Sequence, residues 1–247
     1  MKVSETKFKG IFKIDGKLAT INLVPGFRSS NEDIIKIDNV EYRIWDPFTS
    51  KPAAAIKKNL KIFPLEERQK ILYLGLAEAK TASFFSDIVG NYGLIYGVEI
   101  SERSLREAIP VCEKRGNIIP ILGDARLPEN YENVVVDKVD LIYEDVADPD
   151  QIKILIKNSE KFLKNQGFAI IAIKSQSIDA VKPPKQVYQD CINQLKENFD
   201  ILDKVELDPY EKKHLFVVMK KKWNYILITD MWPQETHLTK FFLIFVL

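Results

Sequence analysis

Residues 71–101 read ILYLGLAEAKTASFFSDIVGNYGLIYGVEIS, and the order of residue types in this stretch decides the fold. Ile71 to Gly75 is a short apolar run closed by glycine. A helix fits over 80–90, and Leu94 to Ile100 is a second apolar run with Glu99 near its end. Strands that are apolar on both faces and joined by helices predict a mainly parallel, doubly wound α/β sheet.

The alternation continues toward the C-terminus. Strands are expected at Ile118 to Leu122, Val139 to Val146 and Phe168 to Lys174, with helices over 102–115, 149–164 and 184–198. Ile201 to Leu207 and Leu215 to Lys220 follow in succession around Asp208-Pro209-Tyr210, so the sheet should end in an antiparallel pair. Toward the N-terminus, Thr49 or Ser50 can cap a helix running to about Leu60, with Pro52 in its first turn, where a missing N–H costs little. Before it, Phe8 to Ile14 and Lys17 to Leu23 flank Asp15-Gly16, and Ile34 to Ile37 and Val40 to Trp45 flank Asp38-Asn39. Two hairpins, and hence a small antiparallel sheet, are expected. The division is a β domain over 1–48, a large domain over 49–223 and an atypical apolar extension over 224–247. That extension ends in FFLIFVL, which suits an added edge strand, an oligomer contact or a loosely held terminus.

Composition narrows the function. The 247 residues carry 36 Lys+Arg against 35 Asp+Glu, a net charge of +1, whereas a protein that binds nucleic acid unaided is usually far more basic. The balance is uneven along the chain: residues 1–70 hold 14 basic and 9 acidic side chains, residues 71–150 hold 7 and 15, and residues 151–223 hold 14 and 9. A local basic surface can therefore hold one stretch of ribose-phosphate, while affinity for a whole RNA must come from elsewhere. Cys112 and Cys191 are far apart and form no CxxC pair, and His214 and His237 are too few for a histidine-rich metal site. No metal is expected. MKVSETKFKG lacks the apolar run of a signal peptide, and Phe241 to Leu247 is far shorter than the roughly 20 residues a membrane span needs. The expected setting is the cytoplasm, with no membrane partner.

In a doubly wound sheet the ligand sits beyond the carboxyl ends of the strands. Gly75, followed by Glu99 at the end of the next strand, supplies close backbone approach and a carboxylate for ribose hydroxyls. Gly123-Asp124-Ala125 offers a carboxylate to an adenine amino group, and Glu144-Asp145-Val146 closes the fourth strand. An acidic strand end is often only a helix cap; three on successive strands point to a nucleoside. The loop Gly75-Leu76-Ala77-Glu78-Ala79-Lys80 has one glycine where a dinucleotide needs three, which disfavours nicotinamide cofactors. S-adenosylmethionine, which has no pyrophosphate, is the better candidate.

NLVPG (22–26), EYRIWDPFTSKPAAAI (41–56), GVEIS (97–101), RGNIIPILGDAR (115–126), LIYEDVADP (141–149), IAIKSQSID (171–179) and LDPYEKKH (207–214) together resemble fibrillarin, in its archaeal form without a Gly/Arg-rich N-terminal region. The resemblance is collinear over about residues 8–222. It implies a Rossmann-like class I methyltransferase fold and S-adenosylmethionine-dependent 2′-O-methylation of ribose in rRNA and tRNA. It also implies a particle built on box C/D guide RNA, a Nop-family scaffold and a kink-turn-binding, ribosomal-like protein. The family's proposed Lys-Asp-Lys-His tetrad falls on Lys51, Asp145, Lys174 and His214. The cofactor positions fall on Gly75, Ala77, Thr81, Glu99, Ile100, Asp124, Ala125, Asp145 and Asp148. The first loop departs from the family's GAASGTT at Glu78, Ala79 and Lys80, Ile100 replaces an aromatic, and Asp148 replaces a Gln. A Glu near the methionine carboxylate repels it, and Lys80 offsets part of that charge. Two rivals follow: a structural subunit of the particle with weakened cofactor binding, and an unrelated small-molecule methyltransferase, against which the N-terminal sheet argues.

Overall fold

Both N-terminal hairpins turn on residues that take a positive φ: Asp15 and Gly16 in one, Asp38 and Asn39 in the other. The computed structural model describes residues 2–223; the expectations for 224–247 lie outside them. The hairpins are β2 (Ile11–Ile14) with β3 (Lys17–Ile21) and β4 (Ile34–Ile37) with β5 (Val40–Ile44), preceded by β1 (Val3–Glu5). They form one antiparallel sheet in the order β1-β2-β3-β5-β4. The first expected strand is shorter than read. Gly10 has φ +71° and the Ile11 N–H bonds back to the Phe8 carbonyl, so a turn occupies 8–10 although Phe8 stays buried.

Helix α1 (Lys51–Lys57) begins where expected but stops short of Leu60, because Asn59 takes φ +66° and bonds back to Ile56. Ser50 occupies the capping position without capping; its hydroxyl meets that of Thr81 at 3.1 Å. The remaining elements are β6 (Lys70–Leu74), α2 (Lys80–Val89), β7 (Leu94–Glu99), α3 (Glu102–Arg115), β8 (Ile118–Leu122), β9 (Val139–Glu144), α4 (Gln151–Phe162), β10 (Leu163–Lys174), α5 (Ser175–Ile178), α6 (Pro184–Asn198), β11 (Phe199–Glu206) and β12 (His214–Lys221). Seven strands lie in the order β11-β12-β10-β9-β6-β7-β8, with β12 antiparallel to both neighbours. The order reverses at β6, between β9 and β7, so the crevice beyond its carboxyl end is the ligand position of such a sheet. β10 starts before the expected Phe168, with a bulge between Leu163 and Phe168.

The two sheets share a core. Phe8, Leu18 and Trp45 of the small sheet belong to the same buried cluster as Tyr73, Phe85 and Tyr143 of the large one, and Trp45 stacks on Phe84 of α2 at 5.1 Å. A buried charge network crosses the same boundary. Arg43 on β5 pairs with Asp87 on α2 (2.8 Å) and with Glu32 (2.7 Å), and Arg115 at the end of α3 takes the other Asp87 oxygen (2.7 Å). Burial alone would raise the Glu32 carboxyl; the Arg43 charge, with hydrogen bonds from Ser30 and Ser29, outweighs it and holds the group at about 2. The segment that leads into α1 and Lys51 is thereby anchored, on its N-terminal side, to helices α2 and α3.

Candidate active site

Four segments deliver side chains to the carboxyl end of β9. Asp145 follows β9 directly, and its N–H bonds to the Leu74 carbonyl of β6. The first residue of α1, Lys51, reaches Asp145 Oδ2 at 3.0 Å. From the end of β10, Lys174 donates to the Asp145 backbone carbonyl at 2.7 Å and lies 3.0 Å from Oδ1. That second contact is close but poorly aligned, so Oδ1 is buried without a hydrogen-bond donor among the described residues. His214 is the cross-strand partner of Lys174 in the β10–β12 pair, which places all four groups together.

His214 has a defined tautomer. Its Nδ1 lies 2.8 Å from the Lys212 carbonyl, which can only accept, so Nδ1 carries the proton and Nε2 keeps a lone pair. Burial lowers its pKa below the ordinary histidine value, the Lys212 carbonyl opposes this, and the Lys51 charge lowers it further. The ring is neutral at pH 7. Tyr73 and Tyr143 pack against each other, centroids 4.7 Å apart, each two residues before a site residue and on the same face of its strand. Burial drives both phenols well above their usual pKa, so they are neutral walls rather than proton carriers.

The expected cofactor residues gather along the adjoining ends of β6, β7 and β8. Gly75 has φ +85°, and a Cβ there would lie 3.1 Å from the Asp145 carbonyl. Glycine is favoured both by conformation and by the close approach of the two strand ends. Glu99 is buried, and its oxygens accept the Ala77 and Ser101 N–H groups, each at 2.8 Å. Two donors leave a carboxylate further acceptor sites for a pair of hydroxyls. Ile100 is 61% exposed, an apolar surface beside that acid, while Ala125 is buried. Asp124 is turned toward Arg126, which binds both its oxygens and holds the carboxyl below the usual range. Asp148 caps Asp150 at 2.8 Å, with Arg126 3.8 Å from its other oxygen. Thr81, in the first turn of α2, faces Ser50 and so ties the cofactor loop to the Lys51 loop. Glu78 lies 3.8 Å from Lys80. Ala79 takes φ +59°, a left-handed conformation that disfavours alanine by about 1 kcal/mol.

Five residues at this site, Gln151, Arg126, Ser50, Tyr73 and Tyr143, have no site role in the sequence expectations. Gln151 is fully buried, accepts the Lys174 N–H (2.9 Å) and donates to the Ala172 carbonyl (3.3 Å), fixing the strand end that presents Lys174. Arg126 links two acids of the cofactor region, and Ser50 bridges to Thr81. The β-strand alternation could have flagged Tyr73 and Tyr143; no local signal marks Gln151. A cleft of about 880 Å3 lies between the small sheet and the starts of α1 and α2, bordered by Trp45, Phe48, Lys57, Lys80 and Thr81. None of the tetrad lines it, so volume is a poor guide to the chemistry here.

The fibrillarin family model matches residues 3–223. The chain belongs to the fibrillarin family. A fibrillarin-like rRNA/tRNA 2′-O-methyltransferase of Pyrococcus furiosus is 50% identical over 226 residues, covering 90% of this chain and 99% of that protein. Among solved structures, Aeropyrum pernix fibrillarin in complex with natively bound S-adenosyl-L-methionine superposes with TM-score 0.82 at 42% identity, covering 89% of this chain and 98% of that one. A fibrillarin from a fibrillarin/Nop5p complex gives TM-score 0.80 at 35% identity over 86% of this chain and 98% of that one. Among the described residues, no helix is long and apolar enough to cross a membrane, and no cluster of ligating side chains suits a metal ion.

Proposed function

We propose that this fibrillarin-family chain methylates ribose 2′-hydroxyls of rRNA and tRNA as the catalytic subunit of a box C/D guide-RNA particle. The observation that carries the reading is the meeting of Lys51, Asp145, Lys174 and His214 beside the Gly75–Glu99 cradle. S-adenosylmethionine fits that cradle: a glycine at positive φ where an added Cβ would crowd the Asp145 carbonyl, a buried carboxylate with spare acceptor capacity, and the exposed apolar face of Ile100. When bound, it supplies an electrophilic methyl group on a sulfonium centre.

The protein's part is placement and proton handling. A ribose hydroxyl is a poor nucleophile near pH 7, so it must be held in line and lose its proton as the new bond forms. The Asp145 carboxylate, fixed from two sides by Lys51 and Lys174, orients the hydroxyl, and neutral His214 offers Nε2 as an acceptor. Lys174 serves as base only in its neutral form; otherwise Asp145 orients the hydroxyl and His214 takes the proton. Glu99 holds the cofactor ribose, with Asp124, Ala125 and Asp148 around the base and Thr81 and Ala77 at the methionine end. Pairing of Glu78 with Lys80 weakens the repulsion that favoured a merely structural subunit.

The near-neutral charge supports partners that bring the RNA, and the relative solved with Nop5p supports a Nop-family scaffold. A kink-turn-binding, ribosomal-like protein and the guide RNA complete the proposed particle. Its setting is the cytoplasm, consistent with two free, buried cysteines. In a reconstituted particle, Lys174→Ala and Asp145→Ala should each lower methylation of target RNA at least a hundredfold while titration shows S-adenosylmethionine still bound. Wild-type activity in either variant would refute the assignment, and no cofactor binding by the assembled wild type would favour the structural role.

A further inference from the structure

The tetrad and the cradle leave Phe48 without a task. Phe48 is 66% exposed, on the loop that leads into α1 three residues before Lys51. A phenyl ring so placed contributes little to the core. It is nevertheless held in position: the Phe48 N–H bonds to Asp46 Oδ1 at 2.9 Å, the Thr49 N–H bonds to the Asp46 carbonyl at 3.2 Å, and Tyr210 meets the ring edge-on with centroids 4.9 Å apart. Tyr210 lies on the turn between β11 and β12, four residues before His214. The aromatic pair therefore bridges the two loops that lead into Lys51 and His214, at the rim of the site.

A ribose reaching Asp145 belongs to a polymer, and its neighbouring nucleotides must leave over that rim. The other exposed side chains of the two loops are Asp46, Thr49, Asp208, Pro209, Lys212 and Lys213, all but the proline polar or charged. A protein-binding hot spot calls for a contiguous apolar patch, whereas one held aromatic among polar groups is the composition of a surface on which bases stack. We propose that Phe48, braced by Tyr210, is a stacking platform for the base next to the methylated ribose; this rests on the RNA-methylating reading above. Stacking tolerates any base, because every base has a π face, so the platform positions the strand without choosing the target.

The test uses the assembled particle and a target RNA carrying 5-iodouridine beside the methylated nucleotide. Phe48→Ala should raise the KM for RNA roughly five- to a hundredfold, with S-adenosylmethionine affinity and thermal midpoint unchanged. Phe48→Tyr and Phe48→Trp should restore it, and Phe48→Leu should not. Irradiation should crosslink the wild type at Phe48 or Tyr210 and fail in Phe48→Ala. A KM within twofold of wild type for Phe48→Ala, full rescue by leucine, or a KM defect that disappears when the Nop-family scaffold is supplied in excess overturns the proposal; the last would mark Phe48 as a protein contact. A wild-type particle that methylates no ribose refutes the underlying function instead.

Discussion

Glu144 and Asp145 are sequence neighbours with opposite chemistry. Strand alternation turns Asp145 toward Lys51 and Lys174, and sends Glu144 into the other core, where it is fully buried and neither oxygen has a partner among the described residues. Burial raises the Glu144 carboxyl well above its usual pKa, against the pull of Lys174. Its folded pKa thus exceeds the unfolded one, so its favourable contribution is complete at low pH and is lost as pH rises through the folded value. Glu144→Gln should remove that alkaline loss, giving a higher thermal midpoint than wild type at pH 9 and little change at pH 5; equal midpoints at both would show the carboxyl is not buried and neutral. His214 gives the second pH signature. Its pKa lies below the ordinary value of about 6.5, so the neutral ring the proposed mechanism needs persists at pH 7. The activity of the particle should fall only on acidification below that value, and His214→Gln should abolish that limb. A loss of activity on raising pH through 6.5 would mean that the cationic form is required. At this scale the sequence was legible where chemistry sits at strand ends. Lys51, Asp145, Lys174 and His214 meet as the family motif implied, while Gln151 acts through one long-range hydrogen bond that leaves no local pattern.

Helices and strands were legible where apolar runs are long. β6 to β9 and α2 to α4 fall within a few residues of their expected bounds, because burial on both faces leaves a continuous hydrophobic signal. β1 has no such signal: Val-Ser-Glu is largely exposed and pairs only with β2. The four-residue α5 and the shortened β2 depend on tertiary context and positive φ, which no periodicity reports. The link between the small sheet and α2 was also invisible, since Arg43, Asp87, Arg115 and Glu32 look like ordinary surface charges in one dimension. Arg43→Met leaves Asp87 and Glu32 short of a buried partner and should cost about 3–5 kcal/mol, measured by urea unfolding. A cost under 1 kcal/mol would show that the network is dispensable. Glu32 adds an acid sensitivity: its folded pKa, about 2, lies below the ordinary 4.5, so its contribution is complete above 4.5 and is lost as pH falls toward 2.

Over the whole molecule, a net charge of +1 coexists with two basic portions flanking an acidic one. The fold gives that distribution a geometry. The acidic portion is β6 to β9 with the cofactor strand ends, and the basic portions converge on its edge through Lys51 from one side and Lys174 and His214 from the other. The two lysines that touch Asp145 are partly neutralised by it, which leaves Lys212 and Lys213 as exposed cations beside the site. Such a surface engages about two or three phosphates, and on single-stranded RNA each phosphate contributes roughly 0.7 to the slope of log affinity against log salt. The isolated chain should therefore bind a target strand weakly, with a slope near −2, by fluorescence anisotropy across a salt series. Adding the scaffold and guide RNA should tighten target binding without requiring new cations from this chain. Charge reversal of Lys212 and Lys213 to Glu should flatten the slope of the isolated chain and leave S-adenosylmethionine affinity unchanged. A slope of −6 or steeper for the isolated chain would mean an extended basic track on this subunit. RNA affinity would then reside in this subunit rather than in its partners.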